Sequence, residues 1–258
     1  MILFFDLDGT LLVDGKISEK CRDALQKAKD KGHILVINTG RSPAFVPKEI
    51  YNDPLWAGHI CGSSYTDLFS EILSSAPLKK ETLAAVYDFA KAEGVQVIFE
   101  GEKENFYAQT KSAEQKDAAE IFEREELPAI VKVTFWCAPE RVPADAFPGL
   151  RIVHFKSYAE GISKGYDKSS GMKLILECLG AGREDTAAFG DSENDIDMLK
   201  FAGRAFAMKN APDYFDEFCF FRATDEKEGA WQAIEFFLAL EEALSVAQRL
   251  AKEEDRSL

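Results

Sequence analysis

The chain has 258 residues, 46% of them hydrophobic, with 45 acidic side chains against 31 basic ones and a formal net charge of -14. That charge excludes a nucleic-acid partner, because a phosphate backbone would meet net repulsion, but leaves room for a small phosphorylated ligand, since a bound cation reverses the sign at one site. No apolar run approaches the roughly 20 residues of a membrane span, and the N-terminus Met-Ile-Leu-Phe-Phe carries no basic leader, so a cytoplasmic protein with no membrane partner is expected.

Apolar runs at Ile2 to Phe5, Ile34 to Asn38, Thr186 to Phe189 and Ala205 to Met208 read as buried parallel strands. A helical pattern from Ser18 to Lys31 separates the first two, with Ser18 as N-cap and Gly32 as stop. Strand, helix, strand in that order predicts an α/β fold: a doubly wound, mostly parallel sheet whose ligands sit outside the carboxyl ends of the strands.

The middle of the chain has another grain. A helix at Glu81 to Glu93 precedes a hairpin, Val95 to Phe99 with Asn105 to Gln109. A helix from Ala113 to Glu125 and strands at Ile130 to Cys137 and Arg151 to Phe155 follow. This reads as an α+β insertion: residues 1–77 and 166–258 form the core, and 78–165 form a second domain. Gly229 to Leu258 reads as one long helix. Five scattered cysteines without a Cys-x-x-Cys pair suit a reduced protein, and three isolated histidines show no metal-ligand spacing.

Polar motifs follow the apolar strands directly. Asp6 and Asp8 stand two apart at a strand end, so both side chains point to one face, and Gly9-Thr10 turns the chain away. Two such carboxylates repel one another unless a cation or a proton intervenes. Thr39-Gly40-Arg41 ends the next strand with a hydroxyl and backbone amides suited to a phosphate. Asp191 and Asp195, with Asn194, lie in Gly190-Asp191-Ser192-Glu193-Asn194-Asp195, and their spacing puts both aspartates on one face of a helix start. Oxygen ligands of this kind fit magnesium. Two lysines, Lys164 and Lys168, are candidates for the fixed cation that a phosphoryl site needs.

These elements, in this order, resemble the motifs of the haloacid dehalogenase superfamily, and the insert between Thr39 and the lysine resembles its Cof-type, class IIB phosphatases. The resemblance selects Lys168, which precedes a helix ending in Leu179-Gly180. It implies that Asp6 is the nucleophile and Asp8 the general acid and base. Magnesium would be held by Asp6, the backbone carbonyl of Asp8 and Asp191, with Asp195 nearby. Thr39, Gly40, Arg41, Lys168 and Asn194 would face the phosphate or substrate, and residues 78–165 would form a cap that selects a small phosphorylated metabolite. A mutase that returns the phosphoryl group to sugar, and a non-catalytic phosphate sensor, are the alternatives. One departure is Ser63-Ser64, where such proteins carry Asn-Gly. Phe99, Glu100, Tyr107 and Trp136 read as cap core more readily than as substrate contacts. Oligomeric state is not encoded in any of these patterns.

Overall fold

The computed structural model describes residues 1–109, 112 and 114–255. In chain order the elements are β1 (Ile2–Phe5), α1 (Glu19–Asp30), β2 (Ile34–Thr39), α2 (Lys48–Tyr51), β3 (Gly58–Cys61), β4 (Tyr65–Leu68), β5 (Glu71–Ser75) and α3 (Lys80–Glu93). There follow β6 (Gln96–Gly101), β7 (Asn105–Ala108), β8 (Lys116–Asp117), α4 (Glu120–Glu123), β9 (Ile130–Trp136), β10 (Leu150–His154) and β11 (Ala159–Ser163). The chain closes with α5 (Lys168–Leu179), β12 (Thr186–Gly190), α6 (Ile196–Phe201), β13 (Arg204–Ala207), β14 (Phe221–Arg222) and α7 (Gly229–Asp255). This is a mixed α/β fold with a parallel sheet core, and it divides into two compact units, residues 1–36 with 182–258 and residues 37–181.

In the first unit the parallel strands run in the order β14-β13-β12-β1. β1 is buried at all four positions, which is why its sequence is a continuous apolar run rather than an alternation. Phe5 stacks on Phe189 at 4.5 Å and Phe189 on Phe206 at 4.7 Å, while Phe237 of α7 meets both Phe189 and Phe206 edge-on. The register pairs Phe5 with Phe189, so the two strands end side by side. The Asp6 amide donates to the Phe189 carbonyl at 3.0 Å and carries that alignment one residue further. Ser18 caps α1 as its position suggests, accepting from the Cys21 amide at 3.1 Å.

In the second unit β3, β4 and β5 form an antiparallel meander. A second sheet, β10-β11-β9-β6-β7-β8, is antiparallel except for its last pair. One face of it, with Val97, Phe99, Val133 and Phe135, packs into an apolar core that includes Leu83 and Val86 of α3. The other face carries Glu100, Lys132, Thr134 and Trp136, as the period of two requires. Phe99 is thus core, as its sequence suggests; Glu100 is also buried, but on the polar face, and Trp136 is half exposed.

α5 lies close against β3 and β4 because position 171 has no side chain. A Cβ there would sit 2.6 Å from the Thr66 hydroxyl and 2.7 Å from Ile60. Gly171→Ala therefore overpacks this seam despite its helix-propensity gain of about 1 kcal/mol. The expected outcome is a net loss of roughly 1–2 kcal/mol, read as a melting temperature lower by about 2–8 °C in a circular-dichroism melt.

Three local expectations change. The helix expected from Ala113 to Glu125 is confined to Glu120–Glu123; Ala113 itself lies outside the described residues. Lys116 and Asp117 pair instead with β7, and the Asp117 carboxylate takes the Ala119 amide at 2.8 Å, a local bond that competes with helix. The strands β4, β5 and β11 are additional to those expected, because none carries a strong apolar run. α1, by contrast, ends as expected: Lys31 is its C-cap and Gly32 follows in the left-handed region at φ +84°, the stop that its sequence suggests. Asp191 and Asp195 share no helical face, because α6 begins only at Ile196.

Candidate active site

Two strand ends of the first unit, β1 and β12, and the loop that follows β12 bring three carboxylates to one place. Asp6, Asp191 and Asp195 are all buried, and each offers a ligand atom within 4.8 Å of the others. Asp6 arrives by extension of β1 and Asp191 by extension of β12. Asp195 arrives differently: its Oδ2 accepts the backbone amides of Asp191 and Ser192, each at 3.0 Å, closing the loop back on itself. The same arrangement explains Gly190, where a Cβ would stand 2.7 Å from the Asp195 carboxyl carbon.

Neutral donors orient Asp191. The Thr10 hydroxyl donates to Oδ1 at 3.0 Å, and the Asn210 amide nitrogen donates to Oδ2 at 2.6 Å. Gly9, at φ +86°, passes so close that an added Cβ would fall 2.4 Å from Asp191 Oδ2, so position 9 is glycine for conformation and for space. Asp8, two residues beyond Asp6, is exposed. Asn194 is half-buried, its Oδ1 accepting from the Ser192 hydroxyl at 2.6 Å. Three buried carboxylates this close repel one another strongly in the ionised state, and a site of oxygen donors only is the donor set of a hard divalent cation. The residues fit magnesium.

The second unit holds the remaining sequence candidates. Thr39 is buried at the end of β2; its carbonyl accepts from the Gly62 amide at 3.1 Å and its Oγ1 from the Arg41 amide at 3.2 Å. The Arg41 guanidinium donates to the Phe45 carbonyl at 3.1 Å. Lys168 is buried as the first residue of α5, while Lys164 is exposed, so burial separates the two lysines as the motif resemblance does. Asp167 caps α5, accepting from the Ser169 amide at 2.7 Å, and the Asn38 side chain donates to the Lys168 carbonyl at 2.8 Å. Ser63 takes a left-handed conformation, φ +63°, which asparagine adopts more readily than serine.

Sequence reasoning passed over Lys132. Its ammonium is buried and donates to the Gly40 carbonyl at 2.9 Å and to Glu160 at 2.5 Å, with Glu100 3.6 Å away. Burial alone would pull this lysine toward neutrality, but Glu100 and Glu160 more than offset it and hold its pKa above the ordinary value. Glu160 moves upward because burial outweighs the attraction of Lys132. The signal was a lone lysine, third in Ile-Val-Lys-Val-Thr-Phe-Trp, an inconspicuous place without knowledge of which strands flank it.

A family model of haloacid dehalogenase-like hydrolases matches residues 3–133 and 145–234. The chain belongs to that family. It is similar to the 5-amino-6-(5-phospho-D-ribitylamino)uracil phosphatase YitU of Bacillus subtilis, 27% identical over 93% of this chain and 98% of that one. A second phosphatase of that name from the same organism, YcsE, is 27% identical over 90% of this chain and 94% of its own length. Among solved structures, the HAD subclass IIB sugar phosphatase BT4131 superposes with a TM-score of 0.79 at 25% identity, covering 92% of this chain and 98% of that one. The family resemblance read from the four motifs is met. Among the described residues, no helix is long and apolar enough to cross a membrane.

Proposed function

We propose that this member of the family is a magnesium-dependent phosphomonoester hydrolase that acts on a small phosphorylated metabolite through an aspartyl-phosphate on Asp6. The observation that carries the reading is the cluster of three buried carboxylates, Asp6, Asp191 and Asp195, with the exposed Asp8 two residues beyond Asp6.

A carboxylate oxygen of Asp6 bonds to phosphorus as the bond to the leaving oxygen breaks. Asp8, as the acid, gives its proton to that leaving oxygen, then takes one from the water that attacks the phosphorus on Asp6, so that inorganic phosphate leaves, Asp6 returns as a carboxylate and Asp8 as the acid. Its exposure suits a group that exchanges protons with substrate and water. Asp6, Asp191 and the backbone carbonyl of Asp8 would hold magnesium, with Asp195 bracing the loop. The ion, when bound, neutralises charge on the phosphoryl oxygens. Thr39 and Lys168 bind those oxygens, Gly40 and Arg41 complete the loop around them, and Asn194 positions the group.

Residues 78–165 serve as the cap that selects the leaving group. Two relatives are named for a phosphoribitylamino-uracil and a solved structure for sugar phosphates, which supports a substrate whose phosphate is carried on a polyhydroxylated chain.

The test is release of inorganic phosphate from a panel of sugar, polyol and cofactor monoesters, with and without magnesium. Turnover is expected only with the metal, and a panel that yields no phosphate with magnesium present would overturn the reading. Transfer of the group to a second sugar without free phosphate would assign a mutase instead. Independently of turnover, magnesium alone is expected to raise the melting temperature. At a hundred times its dissociation constant the gain is about 2.7 kcal/mol, absent after chelation.

A further inference from the structure

We propose that Lys132 is a positioning residue that acts through the Gly40 peptide on the Thr39 hydroxyl. The inference rests on the proposed function, in which Thr39 binds a phosphoryl oxygen.

Three observations align. The Lys132 ammonium donates to the Gly40 carbonyl at 2.9 Å. The amide on the other side of that same peptide, the Arg41 N–H, donates to Thr39 Oγ1 at 3.2 Å. Thr39 is buried, with only 1% of its surface exposed. A cation on the carbonyl polarises the peptide and strengthens its N–H as a donor, and a hydroxyl that accepts a stronger bond becomes a better donor in turn. With its oxygen occupied by Arg41, the Thr39 proton is directed elsewhere, which is the state needed to donate to a phosphoryl oxygen.

The loop is held at two successive carbonyls. The Gly62 amide takes that of Thr39 at 3.1 Å, and Lys132 takes that of Gly40. Both holders come from strand residues or strand ends of this unit, β9 and the turn after β3, so the hydroxyl is fixed from rigid elements.

Stability alone gives no reason for a lysine here. An ion pair at a site this buried, 4% exposed at Lys132, gains little over apolar residues of similar volume. Glu160, at 2.5 Å, keeps the ammonium charged and leaves it protons for the carbonyl.

The experiment is a double-mutant cycle on binding of inorganic phosphate, measured by calorimetry with magnesium present. Lys132→Met is combined with Glu160→Gln, so that the nearer carboxylate is not left buried without its partner. The double variant is expected to weaken phosphate binding about tenfold, and Lys132→Arg, which can still donate to the carbonyl, to stay within about threefold of the parent. In a Thr39→Val background the same pair of changes is expected to shift binding less than about twofold, because the hydroxyl it acts through is gone. Equal losses in both backgrounds, or no loss in the first, would overturn the inference while leaving the proposed function standing. If Thr39→Val by itself leaves phosphate binding unchanged, Thr39 is no phosphate ligand, and that part of the functional reading fails together with this inference.

Discussion

Asp6→Asn is expected to lower the rate of phosphate release by at least about 10⁴-fold with little change in melting temperature. The amide keeps the shape of the carboxylate and one acceptor oxygen at the end of β1, but an amide oxygen does not displace an alkoxide from phosphorus. Removal of a nucleophile elsewhere costs on the order of 10⁶ in kcat, and residual positioning and electrostatics keep some rate above water. The fold tolerates the change because the Asp6 amide that holds the strand end bonds to Phe189 through the backbone, and Phe5 keeps its stacking on Phe189. Two readouts check it: initial rates of phosphate release at saturating magnesium, and a thermal melt. Undiminished release in a folded Asp6→Asn protein would remove Asp6 from the covalent step. No excess of metal is expected to restore the rate, since the missing group is the one that bonds to phosphorus in the proposed reaction.

The sequence made the placement of the carboxylates legible where structure is local. β1 and β12 are short, apolar but for Thr186, and followed at once by aspartate, so the sequence itself assigns Asp6 and Asp191 to strand ends. What brings the third carboxylate in was not legible. Helical spacing suggested that Asp195 stands beside Asp191 on a helix face, whereas it folds back to take the amides of Asp191 and Ser192. That bond depends on the absence of a side chain at Gly190.

Lys132 was hidden for another reason. Its meaning lies in pairings, Glu100 opposite Lys132 across β6 and β9, and in a contact 92 residues away in sequence at Gly40. Period-two alternation gives the face but not the neighbour. The short strands β4, β5 and β11 escaped for the same cause: Tyr65-Thr66-Asp67-Leu68 is buried by the strands beside it, not by its own hydrophobicity.

Asp191→Asn is expected to behave unlike the Asp6 variant, and the contrast separates ligand from nucleophile. In the proposed reaction Asp191 takes no bond to phosphorus, and its carboxylate is a ligand of the metal. Both of its oxygens are already oriented, Oδ1 by the Thr10 hydroxyl and Oδ2 by the Asn210 amide. Asparagine must turn its own amide nitrogen toward one of those donors, so a hydrogen bond becomes a donor–donor clash at a side chain only 7% exposed. Rotation to relieve it is blocked on one side by the close passage of Gly9. The change therefore removes a negative charge from the cation site and disturbs the remaining oxygen as well. Loss of partners that merely orient a ligand costs about 10–100-fold in metal affinity. Loss of the ligand itself is expected at or beyond the upper end, so the magnesium concentration giving half-maximal phosphate release should rise at least about 100-fold. A magnesium titration of initial rates checks this, and part of the lost rate should return at high metal. If Asp191→Asn keeps the parent's magnesium dependence, the metal is not held where the three carboxylates meet. Its rate deficit would then have to come from displaced Thr10 and Asn210 rather than from a missing ligand.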